Sequence, residues 1–329
     1  MRNWLSPKER ELAEFLLGVG PWAELDSEKI GELAKLATEL QLGGALLWAF
    51  EARGKDPGPE RTSLLLQAEA IAARNTWLRA GAEEISQALE SIDVPYRFVK
   101  GIALLPHLPH PGSRWLDDID LLVEPPYRHQ VVGLFCRLGF RPASRSLYSG
   151  RPLNPWTDGH GFLFEGPFEV PLEVHFIRRP LPPPSSEDPR FPSVEALAQG
   201  LAEHVLGIER LSPLKVIRFV LDLHLLSRGE GRSRLWRASS TCPALRLGMS
   251  LLDALENGGP LPAPPPAWRT EFTILVRGLK HHWKSRTLFE ALFPPRSFLE
   301  REDPAFRGRP LLLLHARRWG KRFLGFFEH

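Results

Sequence analysis

The chain is short of cysteine, methionine and tyrosine, with two Cys, two Met and three Tyr in 329 residues. Two thiols, Cys136 and Cys242, argue against both a disulfide framework and a cysteine-based zinc site. Cys136 closes the apolar run Val131-Val132-Gly133-Leu134-Phe135-Cys136, which predicts a buried thiol. Long hydrophobic runs are missing too: no stretch approaches the roughly 20 apolar residues that span a bilayer. Charged residues interrupt the apolar runs that follow Met1-Arg2-Asn3-Trp4, unlike a secretory signal. No membrane span and a cytoplasmic location are therefore expected. An excess of one charge is also lacking. The net charge is +3, although the isoelectric point is about 9.0, so the charge balance does not point to nucleic acid. Arg outnumbers Lys and Pro is abundant, a pattern of GC-rich or thermophilic sources.

What is present is an ordinary globular composition, 43% hydrophobic and 25% charged, in a chain long enough for two or three compact units. Residues 1–92 read as helical. Ser6-Pro7-Lys8-Glu9 supplies a cap, a first-turn Pro and an acid, followed by Leu12, Phe15 and Leu16 at helical spacing. Asp26 or Ser27 caps a second helix carrying Ile30, Leu33, Leu36 and Ala37. Gly43 to Ala52 makes a third. After the Gly/Pro loop at 54–59 a long helix runs from Arg61 to Leu89, with Leu65, Ile71, Trp77, Ile85 and Leu89 available for packing.

The texture changes at Val94. Residues 93–179 read as a small α/β unit: a strand to Val99, Lys100-Gly101, and a short helix from Ile102 to Leu108. An acidic strand follows at 116–123, then a helix from Tyr127 to Leu138 with Gly139 at its C′ position. Two further strands are turned at Gly166-Pro167. A Pro/Ser-rich linker spans 180–192. The region 193–329 reads as helical again, with helices at Val194–Leu206, Pro213–Ser227 and Pro243–Leu255 and a basic C-terminal stretch.

Leu116-Asp117-Asp118-Ile119-Asp120-Leu121-Leu122-Val123 carries the chemistry. On a strand, side chains alternate, so Asp118 and Asp120 share a face while Ile119 and Leu121 point into a core. Two adjacent carboxylates repel, and a divalent cation with hard oxygen ligands makes the arrangement favourable. A solvated strand face is the plain alternative, but Leu121-Leu122-Val123 suggests a buried central strand. Arg114 reads as a surface arginine, an ion-pair partner that orients the acids, or a phosphate ligand. Lys100 and the Gly101 amide suit a phosphate. Glu173, with Leu172 and Val174 on the opposite face, offers a third carboxylate, and His175 shares its face. Three such acids suit two metals roughly 3.5–4 Å apart in an in-line phosphoryl displacement. Exposed hairpin residues are the alternative for this pair.

Phe98-Val99-Lys100-Gly101 followed by Arg114-x-x-x-Asp118-Ile119-Asp120-Leu121-Leu122-Val123 resembles the bacterial nucleotidyltransferase-like family of the DNA polymerase beta-type superfamily. Glu173-Val174-His175 is similar to its third-acid strand, where Asp-x-His is more usual. The helical flanks, with His204 and Asp222, resemble the family's layout. The resemblance implies an α+β fold, a small mixed-sheet nucleotidyltransferase core between helical N-terminal and C-terminal regions. It implies an Mg²⁺- or Mn²⁺-dependent nucleotidyltransferase. Asp118, Asp120 and Glu173 would be its catalytic metal ligands, and Lys100, Gly101, Arg114 and His175 its nucleotide and phosphate contacts. The donor would be a nucleoside triphosphate, ATP in the first place. The acceptor stays open among a small molecule, a peptide or protein and an RNA, with nucleic acid not favoured. A catalytically inactive nucleotide-binding protein and a metal-dependent phosphohydrolase are the alternatives. The chain departs from the superfamily's usual pattern in three places: the Ser or Gly expected after Gly101 is Ile102, Asp117 stands where a small residue is common, and the third acid is Glu.

Other residues read less sharply. His281-His282 suits a metal poorly, because adjacent helical residues face different directions. Arg317, Arg318, Lys321 and Arg322 line one side of a terminal helix that docks on its own domain or meets a membrane surface or RNA. Asp222 and His224 sit in an apolar helix as core polar groups or cleft residues, and Lys215 and Arg218 begin the same helix, where phosphates are one partner the sequence leaves open for them.

Overall fold

The computed structural model describes residues 4–145, 152–156, 161–166, 171–177, 180–207, 212–263 and Leu299. In chain order its helices and strands begin with α1 (Pro7–Leu16), α2 (Ser27–Glu39), α3 (Gly43–Ala52), α4 (Arg61–Glu90), β1 (Tyr96–Val99) and α5 (Lys100–Leu104). There follow β2 (Ile119–Val123), α6 (Arg128–Arg137), β3 (Arg141–Pro142), β4 (Gly161–Glu165) and β5 (Pro171–Phe176). The described elements close with α7 (Val194–Gly207), α8 (Pro213–Leu226), α9 (Gly231–Ser239) and α10 (Pro243–Glu256). The expected turn residue Pro167, His281-His282 and the basic terminal helix lie outside the described residues. These residues fall into two units, one drawn from 4–122 and 180–263, the other from 123–177.

The first unit is mainly helical. At α1 a capping box closes as the sequence predicts: Ser6 Oγ accepts from the Glu9 N–H, and the Ser6 N–H donates to Glu9 Oε2 at 2.6 Å. Asp26 caps α2 by accepting from the Lys29 N–H at 2.8 Å. α4 buries Leu64, Ala68, Ile71, Asn75, Leu78, Ala82, Ile85 and Leu89, at spacings of three and four residues. Leu65, expected on that face, is 41% exposed and Leu64 packs in its place. Ile71, Ile85 and Leu89 are buried as expected, and Trp77 is half-buried beside the buried Leu78. The helices before β1 and those after residue 193 share one core, in which Phe15, Phe50 and Leu46 cluster with Phe219, Leu223 and Met249.

Three backbones meet closely in this unit. A Cβ on Gly44 of α3 would collide with the Gly112 carbonyl, and a Cβ on Gly112 would collide with the Ala68 carbonyl of α4. Glycine at both positions lets the turn Pro111–Ser113 press onto the two helices. The linker region is not loose. The Phe98 N–H donates to the Arg190 carbonyl at 2.9 Å, Phe191 packs on Phe98, and the Arg190 guanidinium bonds Asp188 and Glu83.

In the second unit α6 lies with Val131, Val132 and Phe135 fully buried, and the Phe135 ring meets Phe140 and Phe164. Cys136 is exposed, contrary to the expectation of a buried thiol. One residue past Phe135 the helix has turned about 100° away from its apolar face. Gly139 follows α6 with φ +85°, the left-handed C′ conformation expected of it. β4 and β5 pair antiparallel with Gly161 opposite His175 and Leu163 opposite Glu173, and β3 adds Arg141 opposite Glu165.

The strands form a five-stranded mixed sheet in the order β1-β2-β5-β4-β3, flanked by helices, which is the expected α+β class. β2 is interior in that order, and Ile119, Leu121 and Val123 are fully buried, as a central strand requires. Among the described residues no helix is long and apolar enough to cross a membrane.

Candidate active site

The site begins where β1 ends. Val99 is extended and Lys100 turns abruptly into the left-handed region with φ +55°, a conformation that costs a non-glycine residue about 1–2 kcal/mol. The helix therefore starts at Lys100, two residues before the expected Ile102, and after Leu104 it tightens into a 3₁₀ turn at Leu105–His107. The sharp turn sends the Lys100 side chain to β2, where Nζ lies 2.5 Å from Asp120 Oδ1. The Asp120 side chain is 3% exposed and that of Lys100 22%. A carboxylate this buried needs a cation, because desolvation of an unpaired charge is costly. Gly101 packs against Leu116, whose Cδ2 would lie 2.9 Å from any Cβ there.

β2 starts at Ile119, so Asp118 lies just before the strand and not on it, half-buried. Asp117 is exposed and accepts from Trp115 Nε1 at 2.6 Å. The segment 111–117 is held to α4 by side chains that read in the sequence as ordinary helix residues. Asn75 donates to the carbonyls of Pro111 and Arg114 at 2.6 and 2.7 Å. Arg74 donates to the carbonyls of Leu116 and Asp117 and stacks beside Trp77 and Trp115.

Arg114 points to α8. Its Nε and Nη2 donate to the two oxygens of Asp222 at 3.0 and 3.1 Å, and it also reaches the Trp115 carbonyl. Burial by itself would lower the Arg114 pKa; the Asp222 charge and hydrogen bonds outweigh it and hold the guanidinium above its usual range. Asp222 is thus a satisfied core polar group, while His224 is half-buried with its Nδ1 2.9 Å from Glu256 Oε1.

In the second unit Glu173 and His175 stand half-buried on the polar face of β5, while Leu172, Val174 and Phe176 are buried opposite. His175 Nε2 lies 3.4 Å from Glu173 Oε2. Gly161, across the pair, leaves these side chains room: a Cβ there would meet His175 Nδ1 at 3.2 Å and Glu173 Oε1 at 3.4 Å. Asp120 in the first unit and Glu173 and His175 in the second carry carboxylate and imidazole groups of the kind that ligate a metal ion. Two carboxylates and an imidazole are a donor set that suits a divalent cation, the carboxylates for Mg²⁺ and the imidazole adding compatibility with Mn²⁺.

Comparison with known proteins gives one family. The model of a family described as uncharacterised nucleotidyltransferase matches residues 26–238, more than half of the chain. Among solved structures, the solution structure of the antibiotic-resistance factor ANT(2'')-Ia is similar over 63% of this chain and 100% of its own, at 17% identity and a TM-score of 0.37. No curated protein matches.

Proposed function

The chain belongs to a nucleotidyltransferase family, and from that premise we propose that it moves a nucleoside monophosphate from a nucleoside triphosphate, ATP in the first place, to an acceptor hydroxyl. The observation that carries this reading is Asp120, a carboxylate buried on the sheet's interior strand with Lys100 beside it. Asp118, Asp120 and Glu173 are the proposed ligands of Mg²⁺ or Mn²⁺, with His175 beside them. When bound, the metal neutralises phosphate charge and polarises the phosphoryl group.

The protein's own groups then have defined tasks. Lys100 and the Gly101 amide hold phosphate oxygens. Glu173 takes the proton of the acceptor hydroxyl as its oxygen bonds the α-phosphorus. The bond from that phosphorus to the bridging oxygen breaks, and pyrophosphate leaves. Arg114 acts in this reading through its fork with Asp222, by fixing the segment that leads to the acids. Residues 93–179 are the proposed catalytic region, and we assign the activity to the cytoplasm.

The test is pyrophosphate release from ATP with Mg²⁺ in Asp118→Asn and Asp120→Asn variants. Both should be inactive; full activity in both would remove the mechanism.

One observation favours a second reading. Lys100 already supplies Asp120 with a cation, as suits a protein that binds nucleotide without turning it over. Tight calorimetric binding of ATP with Mg²⁺, without pyrophosphate release in the presence of candidate acceptors, would select that alternative.

A further inference from the structure

We propose that Arg218 anchors a binding site for an oxyanion, a phosphate or a carboxylate, in the helical unit, beside the Arg114–Asp222 pair. Arg218 lies on α8 one turn before Asp222, with its side chain 11% exposed. Its guanidinium is underused. Nη2 donates to Gln41 Oε1 at 3.0 Å, Nη1 stops 3.8 Å from Asp117 Oδ2, and Nε is buried with no hydrogen-bond partner among the described residues. Asp117 compensates it weakly, because that side chain is 71% exposed and one of its oxygens is turned to Trp115.

The nearest buried carboxylate is already spent. Both oxygens of Asp222 accept from Arg114, so two guanidiniums share one buried acid. Burial first, and then the Arg114 charge, pull the Arg218 pKa down to about 10. A buried guanidinium with an unpaired N–H is costly, and an oxyanion seated on it would satisfy that donor. The five N–H donors of a guanidinium lie in a planar fork that matches phosphate and carboxylate oxygens, and a lysine does not reproduce it. Gln41, which holds the Arg218 tip, is itself in the left-handed region with φ +55°, a strained backbone at the same place. Lys215 lies one turn earlier on the same helix and adds positive charge to that face.

The oxyanion has two possible sources, the triphosphate of the donor or an acidic group on the acceptor. Only this choice of source rests on the nucleotidyl-transfer reading. The experiment is thermal unfolding at constant ionic strength with tripolyphosphate, inorganic phosphate or acetate, together with calorimetry using ATP and Mg²⁺, on the full chain and on Arg218→Met. At least one anion should raise the wild-type midpoint by several degrees and leave that of Arg218→Met unmoved. A tenfold loss of ATP affinity in the variant assigns the site to the donor's phosphates. Unchanged ATP affinity with a lost phosphate or acetate response assigns it to the acceptor's acid. Arg218→Lys keeps the charge and covers the case in which the Met variant does not fold; its anion response should fall at least fivefold. Equal anion responses in wild type and variants, or none in wild type, overturn the proposal. Loss of pyrophosphate release with an intact Arg218-dependent anion response would instead count only against the nucleotidyl-transfer reading.

Discussion

Arg114 and Asp222, 108 residues apart in sequence, meet through two nearly equal hydrogen bonds of 3.0 and 3.1 Å in a place where both side chains are mostly buried. The fork joins the segment that leads into β2 to helix α8. It fixes the approach to Asp118 and Asp120 from one side, while Asn75 and Arg74 fix it from α4.

Breaking that fork should be costly. Asp222→Asn or Arg114→Met each leaves a buried charge without its partner and should cost about 3–5 kcal/mol. The double variant should lose less than the sum, by at least about 1 kcal/mol, because neither charge is then stranded. Urea unfolding of the four proteins measures this; additive losses would show that the pair is not coupled.

Lys100 and a metal compete for Asp120 in this account. Lys100→Met should lower the unfolding midpoint without metal, since the buried Asp120 carboxylate loses the Lys100 ammonium 2.5 Å away. Added Mg²⁺ or Mn²⁺ should then raise the midpoint more in the variant than in the wild type. Equal shifts would show that Lys100 does not stand in the metal's way.

Gly112→Ala should destabilise the protein by about 1–3 kcal/mol or more, the range for overpacking a tight contact. The added methyl would run into the Ala68 carbonyl, and neither backbone can step aside as a flexible side chain would. Urea unfolding checks it. Gly54→Ala makes a weak control for space alone, since nothing surrounds that position, although its φ of +62° strains any side chain.

An alkaline limb of stability should trace to Tyr96. Burial, and after it the Glu90 carboxylate, push the Tyr96 phenol from 10.0 up to about 12, against the opposing bond from Ser86. The folded pKa is raised, so the folded state holds its proton longer than the unfolded chain does. Its contribution is intact below the unfolded value of about pH 10 and is lost as pH rises through the folded value near 12. Midpoints measured from pH 9 to pH 11 (roughly the onset of this window) should fall more steeply in wild type than in Tyr96→Phe. Parallel slopes would remove Tyr96 as the cause.

Local rules reached much of this architecture. Ser6 and Asp26 cap their helices, Gly139 ends α6, and Glu173 and His175 share a face because strands alternate. Other features depended on information that local rules lack. Asp118 leaves the strand because β2 begins only at Ile119. Cys136 and Leu65 each sit one residue from a buried neighbour, and helix rotation turned both outward. α9 buries only Leu235 and Ser239, too few for a periodic signal. The partners of Asn75, Asp222 and Arg218 lie 36 to 177 residues away, a distance across which no spacing rule operates.

The central claim is that Asp120 serves a metal-dependent transfer of a nucleoside monophosphate. The direct measurement is pyrophosphate release from ATP as Mg²⁺ or Mn²⁺ is varied, in wild type and in Asp120→Asn. Metal-dependent release in the wild type and none in the variant is the predicted result. Release that persists undiminished in Asp120→Asn, or proceeds equally well with all metal chelated, would contradict it.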